Sequence, residues 1–210
     1  MKLVVVSAGL SVPSSTRLLA DRLAAATAER AAVDVRVIEL RDLAVEIAHN
    51  FTGGFPAPAL ADALDAVAEA DGLIVVTPVF SASYSGLFKS FFDVLGVRDE
   101  GALAGKPVLI AATGGTARHS LVLDHALRPL FAYLKAVVVP TGVYAASEDW
   151  GAEGLPERIA RAAKELAELM AGLSAGRRPE QAAVPEQVAP AQAGGFTVVP
   201  FEAQLAALRK

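Results

Sequence analysis

Short apolar runs alternate with segments of helical period from the first residue of this chain, and few folds accept that pattern. Lys2–Ser7 is a β-branched run, followed by residues 16–30, where Leu19, Leu23 and Ala26 fall on one helical face. Residues 33–40 read as a second, partly alternating strand. Residues 59–70 then read as a helix with Leu60, Leu64 and Val67 at helical spacing. Residues 72–77 form a third strand, apolar throughout, and residues 86–95 a helix carrying Leu87, Phe88, Phe91, Phe92 and Leu95. A fourth strand (106–112), a long helix (117–135) and a fifth strand (136–143) follow. Residues 155–172 close the domain as a helix, with Pro156 in its first turn and Gly172 at its end.

Strands without polar alternation are buried on both faces, as parallel strands are. Repeated βα units therefore predict an α/β doubly wound sandwich, a five-stranded parallel sheet with helices on both faces. Chain length and strand count favour the flavodoxin-like order 2-1-3-4-5, whose ligands sit outside the carboxyl ends of strands one and three. A mean hydropathy of +0.43 raises the question of membrane insertion, but no stretch approaches the ~20 apolar residues of a spanning helix. The N-terminal apolar run is short and reads as a strand, not a signal peptide, so a cytoplasmic protein is expected. With no cysteine, disulfides, thiolate metal sites and cysteine nucleophiles are excluded. A formal charge of -4 gives no footprint for nucleic acid or an acidic membrane. The expected domain spans residues 1–172. Residues 173–195 are rich in Ala, Pro, Gln and Gly and read as a linker. Residues 196–210 regain apolar character (Phe196, Val198, Val199, Phe201, Leu205, Leu208) and read as a docking segment.

Three loops on the expected ligand rim carry unusual sequence. After strand one come Gly9, Ser11, Ser14, Ser15, Thr16 and Arg17, hydroxyls and amides at a helix start. They fit a bound phosphate or plain helix capping, and they lack the glycine and lysine pattern of a P-loop. After strand three come Pro78, Val79, Phe80, Ser81, Ala82 and Ser83. Pro78 is expected to end the strand, and the small residues leave room for a flat ligand or for a simple surface turn. After strand four come Thr113, Gly114, Gly115, Thr116 and Arg118, where paired glycines expose backbone donors or make a tight turn. Three such loops on one rim argue for a site.

On these residues the chain resembles the NADPH-dependent FMN reductases, and within them the reductases serving alkanesulfonate-type, luciferase-like monooxygenases. Ser14 and Thr16 match the end of that family's phosphate loop. Pro78, Phe80 and Ser83 match its Pro-x-Tyr-x-x-Ser loop, with Gly86, Lys89 and Asp93 following, and residues 113–116 match its third loop. Two positions depart from the pattern: Ser11 stands where an arginine is usual, and Phe80 where a tyrosine is usual. The resemblance implies FMN on the three loops and NADPH or NADH as hydride donor. It also implies a homo-oligomer (dimer or tetramer) and a flavin-dependent monooxygenase as partner. The phosphate would then lean on Ser11, Ser14, Thr16 and Arg17. No side-chain acid or base is required, since hydride transfer needs positioning.

Pro129 lies inside the long fourth helix and opposes the carbonyl of His125, so a kink or π-bulge is expected there. In the resembled reductases this helix lies at a subunit interface, which places His125 against a neighbouring subunit, with a buried core histidine as the alternative. His49 falls in an expected connection and His119 beside the third loop, and Lys89 and Asp93 form an i, i+4 surface pair. A flavodoxin-type electron carrier and a quinone or azo-dye reductase are the rival functions on this fold. A response regulator is excluded, because Ser7-Ala8-Gly9 stands where acidic residues are needed.

Overall fold

A computed structural model describes residues 1–176; the expected docking segment and all but the first few residues of the expected linker lie outside the described residues. In chain order the elements are β1 (Lys2–Ser7), α1 (Ser15–Ala28), β2 (Asp34–Glu39), α2 (Ala44–Gly53), α3 (Pro58–Glu69), β3 (Gly72–Phe80) and β4 (Ser83–Tyr84). Then follow α4 (Gly86–Arg98), β5 (Pro107–Gly114), α5 (Arg128–Tyr133), β6 (Val137–Val138), β7 (Val143–Ala146) and α6 (Gly154–Gly176). Strands β2, β1, β3, β5 and β6 lie side by side in that order, and β7 also pairs with β5. Every pairing among them is parallel, giving the flavodoxin-like arrangement.

Alternate residues of each central strand feed two cores. Val4, Val6, Val75 and Ile110 pack with Leu64, Phe88, Phe92 and Phe131 on one face. Leu3, Val5, Ile74 and Leu109 pack with Leu19, Leu23, Ile159 and Leu166 on the other. Both faces are covered, which is why the strand sequences show no polar alternation.

The sheet has seven strands instead of the expected five, for two local reasons. The expected fifth strand is broken into β6 and β7, because Pro140 cannot donate to a ladder. Side chains take the backbone groups freed at the break. Arg128 donates to the carbonyls of Val139 (3.1 Å) and Pro140 (3.0 Å). Glu165 of α6 accepts from Thr141 N (2.7 Å) and Thr141 Oγ1 (2.7 Å). The other addition is β4, which folds back antiparallel on the end of β3.

Pro78 does not end β3, contrary to expectation; the strand runs on to Phe80. Val76 turns its carbonyl toward β1, accepting from Ala8 N at 2.9 Å. Pro78, two residues on, presents its nitrogen to the same side, beyond the last paired residue of β1. The missing N–H therefore costs no ladder bond.

The expected long fourth helix is also interrupted. A 3₁₀ turn at Ala117–His119 is followed by a π turn at Leu123–Leu127 and only then by α5. The π turn closes with Arg128 N–H donating to the Leu123 carbonyl, the wider winding that relieves Pro129. His125 on this turn is exposed, which removes the core-histidine alternative. Helix α2 was not expected, and exposed His49 lies on it, not in an irregular connection. Helix α6 runs through Gly172 to Gly176. Gly172 faces open space, and its cost of about 1 kcal/mol is outweighed by the Ala-, Glu- and Leu-rich turns around it.

Candidate functional site

The carboxyl ends of β1, β3 and β5 are neighbours in the sheet, so the loops that follow them share one rim. The first loop climbs from β1 into the start of α1. Ser14 caps that helix, its Oγ accepting from Arg17 N at 3.2 Å. This leaves Ser15 N–H and Thr16 N–H as the donors that a helix start cannot satisfy internally. Gly9 packs beneath this cap: a Cβ there would stand 2.0 Å from Ser14 Oγ and 3.1 Å from Thr16 Cβ. The loop thus has the form of an anion cradle closed by a glycine. Ser7, the last residue of β1, adds a buried hydroxyl with no hydrogen-bond partner among the described residues.

Thr16 does not present its hydroxyl to the rim. It is buried and shares a 2.8 Å hydrogen bond with the hydroxyl of Thr113, clasping the first loop to the third. Arg17 is likewise drawn away from the cradle. Its Nε donates to Asp21 at 2.7 Å, and its Nη1 pairs with Glu39. The Asp21 hydrogen bond foremost, with the charges of Asp21 and Glu39, holds this guanidinium above its ordinary range. The cation that does touch the loop is Arg41, just after β2. It donates to the Ser11 carbonyl at 3.1 Å, and a second nitrogen lies 3.1 Å from Glu39. Ser11 itself is exposed.

The second loop is a two-residue turn between β3 and β4. Ser81 (φ 48°) and Ala82 (φ 65°) both have positive φ, as a tight hairpin of type I′ requires. Glycine or asparagine usually fills such positions, so the turn stores backbone strain at the rim, a frequent property of functional loops. Thr77 secures its base, accepting from Ser85 N (3.0 Å) and donating to the Pro78 carbonyl (3.0 Å). Ser85 caps α4 by accepting from Phe88 N at 3.2 Å. Phe80 is 48% exposed on the rim, while Val79 and Ser83 are half-buried.

In the third loop Gly114 is half-buried, and Gly115, Thr116 and Arg118 are exposed. Tyr144 of β7 lies beneath it, its hydroxyl donating to the Thr116 carbonyl at 2.7 Å. A Cβ on Gly114 would stand 2.2 Å from that hydroxyl, which is why a glycine is needed there. Burial, then the negative charges of Asp149 and Glu148, push the phenol's pKa up, keeping it a neutral donor. His119 is exposed beside this loop, and Trp150 is half-buried with the Arg22 guanidinium 5.2 Å over its ring. Lys89 and Asp93 form the expected pair on α4.

The structure therefore brings all three predicted loops together but reassigns two side chains, Thr16 and Arg17, to structural bonds. Sequence reasoning missed Arg41 and Tyr144. Nothing in the sequence links Arg41 to Ser11. Tyr144 did carry a signal, since a phenol inside an apolar strand must find a partner for its hydroxyl.

The rim has backbone donors at a helix start, small residues and glycines. Among the described residues no group of three His, Asp or Glu could hold a metal ion, and no helix is long and apolar enough to cross a membrane. A family model described as NADPH-dependent FMN reductase matches residues 1–151. An FMN reductase (NADPH) of Pseudomonas aeruginosa is 43% identical over 178 residues, 82% of this chain and 94% of the relative. The NADH-dependent FMN reductase SfnF of Pseudomonas fluorescens is 42% identical over 175 residues, 80% of this chain and 91% of the relative. Among solved structures, an oxidoreductase of Corynebacterium diphtheriae superposes with a TM-score of 0.78 at 50% identity, covering 81% of this chain and 97% of that one.

Proposed function

Because the chain belongs to the NADPH-dependent FMN reductase family, we propose that FMN binds on the three rim loops and that this NAD(P)H:FMN oxidoreductase hands reduced FMN to a flavin-dependent monooxygenase. The carrying observation is the convergence of the loops after β1, β3 and β5, joined by the Thr16–Thr113 hydrogen bond. The residues fit the group. Gly9 keeps the cradle open for a phosphate, and Ser11, Ser14 and the amides of Ser15 and Thr16 supply its donors. The side-chain-poor turn at Ser81–Ala82 and open Gly115 leave space for a flat ring.

When bound, FMN would supply the hydride acceptor for a reduced nicotinamide. The chain's own work is positional. The first loop would anchor the phosphate, the backbone of Ser81–Ser83 would border the ring's N5 edge, and donors of 114–118 would serve the N1–C2=O edge, whose negative charge grows on reduction. Exposed Phe80 and Arg118 lie on this open rim, where a nicotinamide would stack. No acid, base or metal is needed for this step.

The protein acts as a homo-oligomer, dimer or tetramer, with the π turn and exposed His125 at the subunit contact. Light scattering tests that assembly. The functional reading is tested by turnover of NADPH and NADH with free FMN, and by coupling to a luciferase-like monooxygenase. Absence of FMN turnover would favour an electron carrier instead.

A further inference from the structure

We propose that Tyr144 is a positioning residue that fixes the direction of the Thr116–Ala117 peptide, turning its N–H outward to serve the reduced form of the flavin; this rests on FMN occupying the rim. Tyr144 lies inside the protein, beneath the third loop, and donates to the Thr116 carbonyl at 2.7 Å, a far shorter bond than the 3.5 Å one this carbonyl also accepts from His119 N. A trans peptide holds its C=O and N–H antiparallel. Pinning this carbonyl inward therefore aims the N–H of exposed Ala117 away from the core, toward the rim. Among the described residues no acceptor takes that N–H.

The contact is closely set. Gly114 leaves its Cβ space to the Tyr144 hydroxyl, which any side chain there would strike at 2.2 Å. Tyr144 is a donor under neutral conditions, so it orders the loop in one polarity only. Were the peptide to flip, its carbonyl would face the same edge of the flavin. That edge becomes anionic on reduction, so a flip costs the reduced form more than the oxidised one. A tyrosine that merely satisfied its own hydroxyl would affect both forms equally.

The test uses the full chain with FMN. Dissociation constants of oxidised FMN and the midpoint potential of the bound two-electron couple are measured for the native protein and Tyr144→Phe. The expected result is an affinity for reduced FMN that falls roughly tenfold more than that for oxidised FMN. The bound couple then shifts down by about 30 mV, as a tenfold ratio requires for two electrons. Gly114→Ala, which keeps the phenol but displaces it from Thr116, is expected to shift the potential in the same direction. An unchanged potential in both variants, or equal losses for the two redox forms, overturns the proposal. Failure of the native protein to bind FMN overturns the site reading itself, and is seen before any variant is made.

Discussion

Replacing Gly9 by alanine tests the phosphate cradle with a single methyl group. The new Cβ would lie 2.0 Å from Ser14 Oγ and 3.1 Å from Thr16 Cβ. Ser14 can escape only by rotating, which breaks its 3.2 Å cap on Arg17 N. Loss of such a cap costs about 1 kcal/mol, equivalent to a Tm drop of roughly 2–4 °C for a domain of this size. The effect on binding is larger. The rotated hydroxyl leaves the cradle, and one charge-assisted hydrogen bond is worth ~1.5–3 kcal/mol, so FMN affinity is expected to fall roughly ten- to hundredfold. Riboflavin, which has no phosphate, should lose little. Titration of both flavins into native and Gly9→Ala protein, with thermal melts alongside, separates these effects. Equal weakening of the two flavins, or none of either, would refute the assignment of the first loop to phosphate.

Three further outcomes are expected. Thr16→Val and Thr113→Val each strand a buried hydroxyl and should cost about 1–3 kcal/mol in denaturant unfolding. The double variant should cost clearly less than their sum, a coupling that a mutant cycle measures. The Tyr144 phenol is held above its ordinary value of 10.0 in the folded protein, so its contribution is complete below pH 10 and lost as pH rises through the folded value. The Tm advantage of native protein over Tyr144→Phe should accordingly shrink above pH 10, and melts from pH 8 to 11 check it. Truncation after Gly176 removes Phe196, Val198, Val199 and Phe201; if that segment docks, light scattering and thermal melts will show a smaller assembly or a lower Tm.

The central strands and the shared rim were legible in the sequence because burial on both faces leaves an unmistakable apolar run. What was not legible depended on neighbours distant in sequence. Pro78 looked like a terminator, yet it is harmless because β1 has already ended beside it. Pro140 splits the fifth strand, and the split is tolerated only because Glu165 and Arg128 take the freed groups. Helix α2 buries only Ile47, too narrow a stripe to show as a period. Pro129 was readable, since its effect acts on its own backbone. At the candidate site, the loops that converge on the rim could be picked out from local composition, but the bonds their side chains make could not. Arg17 stands nearest the cradle in sequence and is held by Asp21 and Glu39, whereas Arg41 reaches Ser11 from the turn that follows β2.

The most direct test of the central claim is an anaerobic reaction of the full chain with NADPH or NADH and excess FMN, following both chromophores. The expected result is one nicotinamide oxidised per FMN reduced, at catalytic protein concentration, with Gly9→Ala impaired at low FMN. Nicotinamide that stays reduced in the presence of FMN, or a rate indifferent to Gly9→Ala at every FMN concentration, would contradict an FMN reductase that holds its flavin phosphate on the first loop.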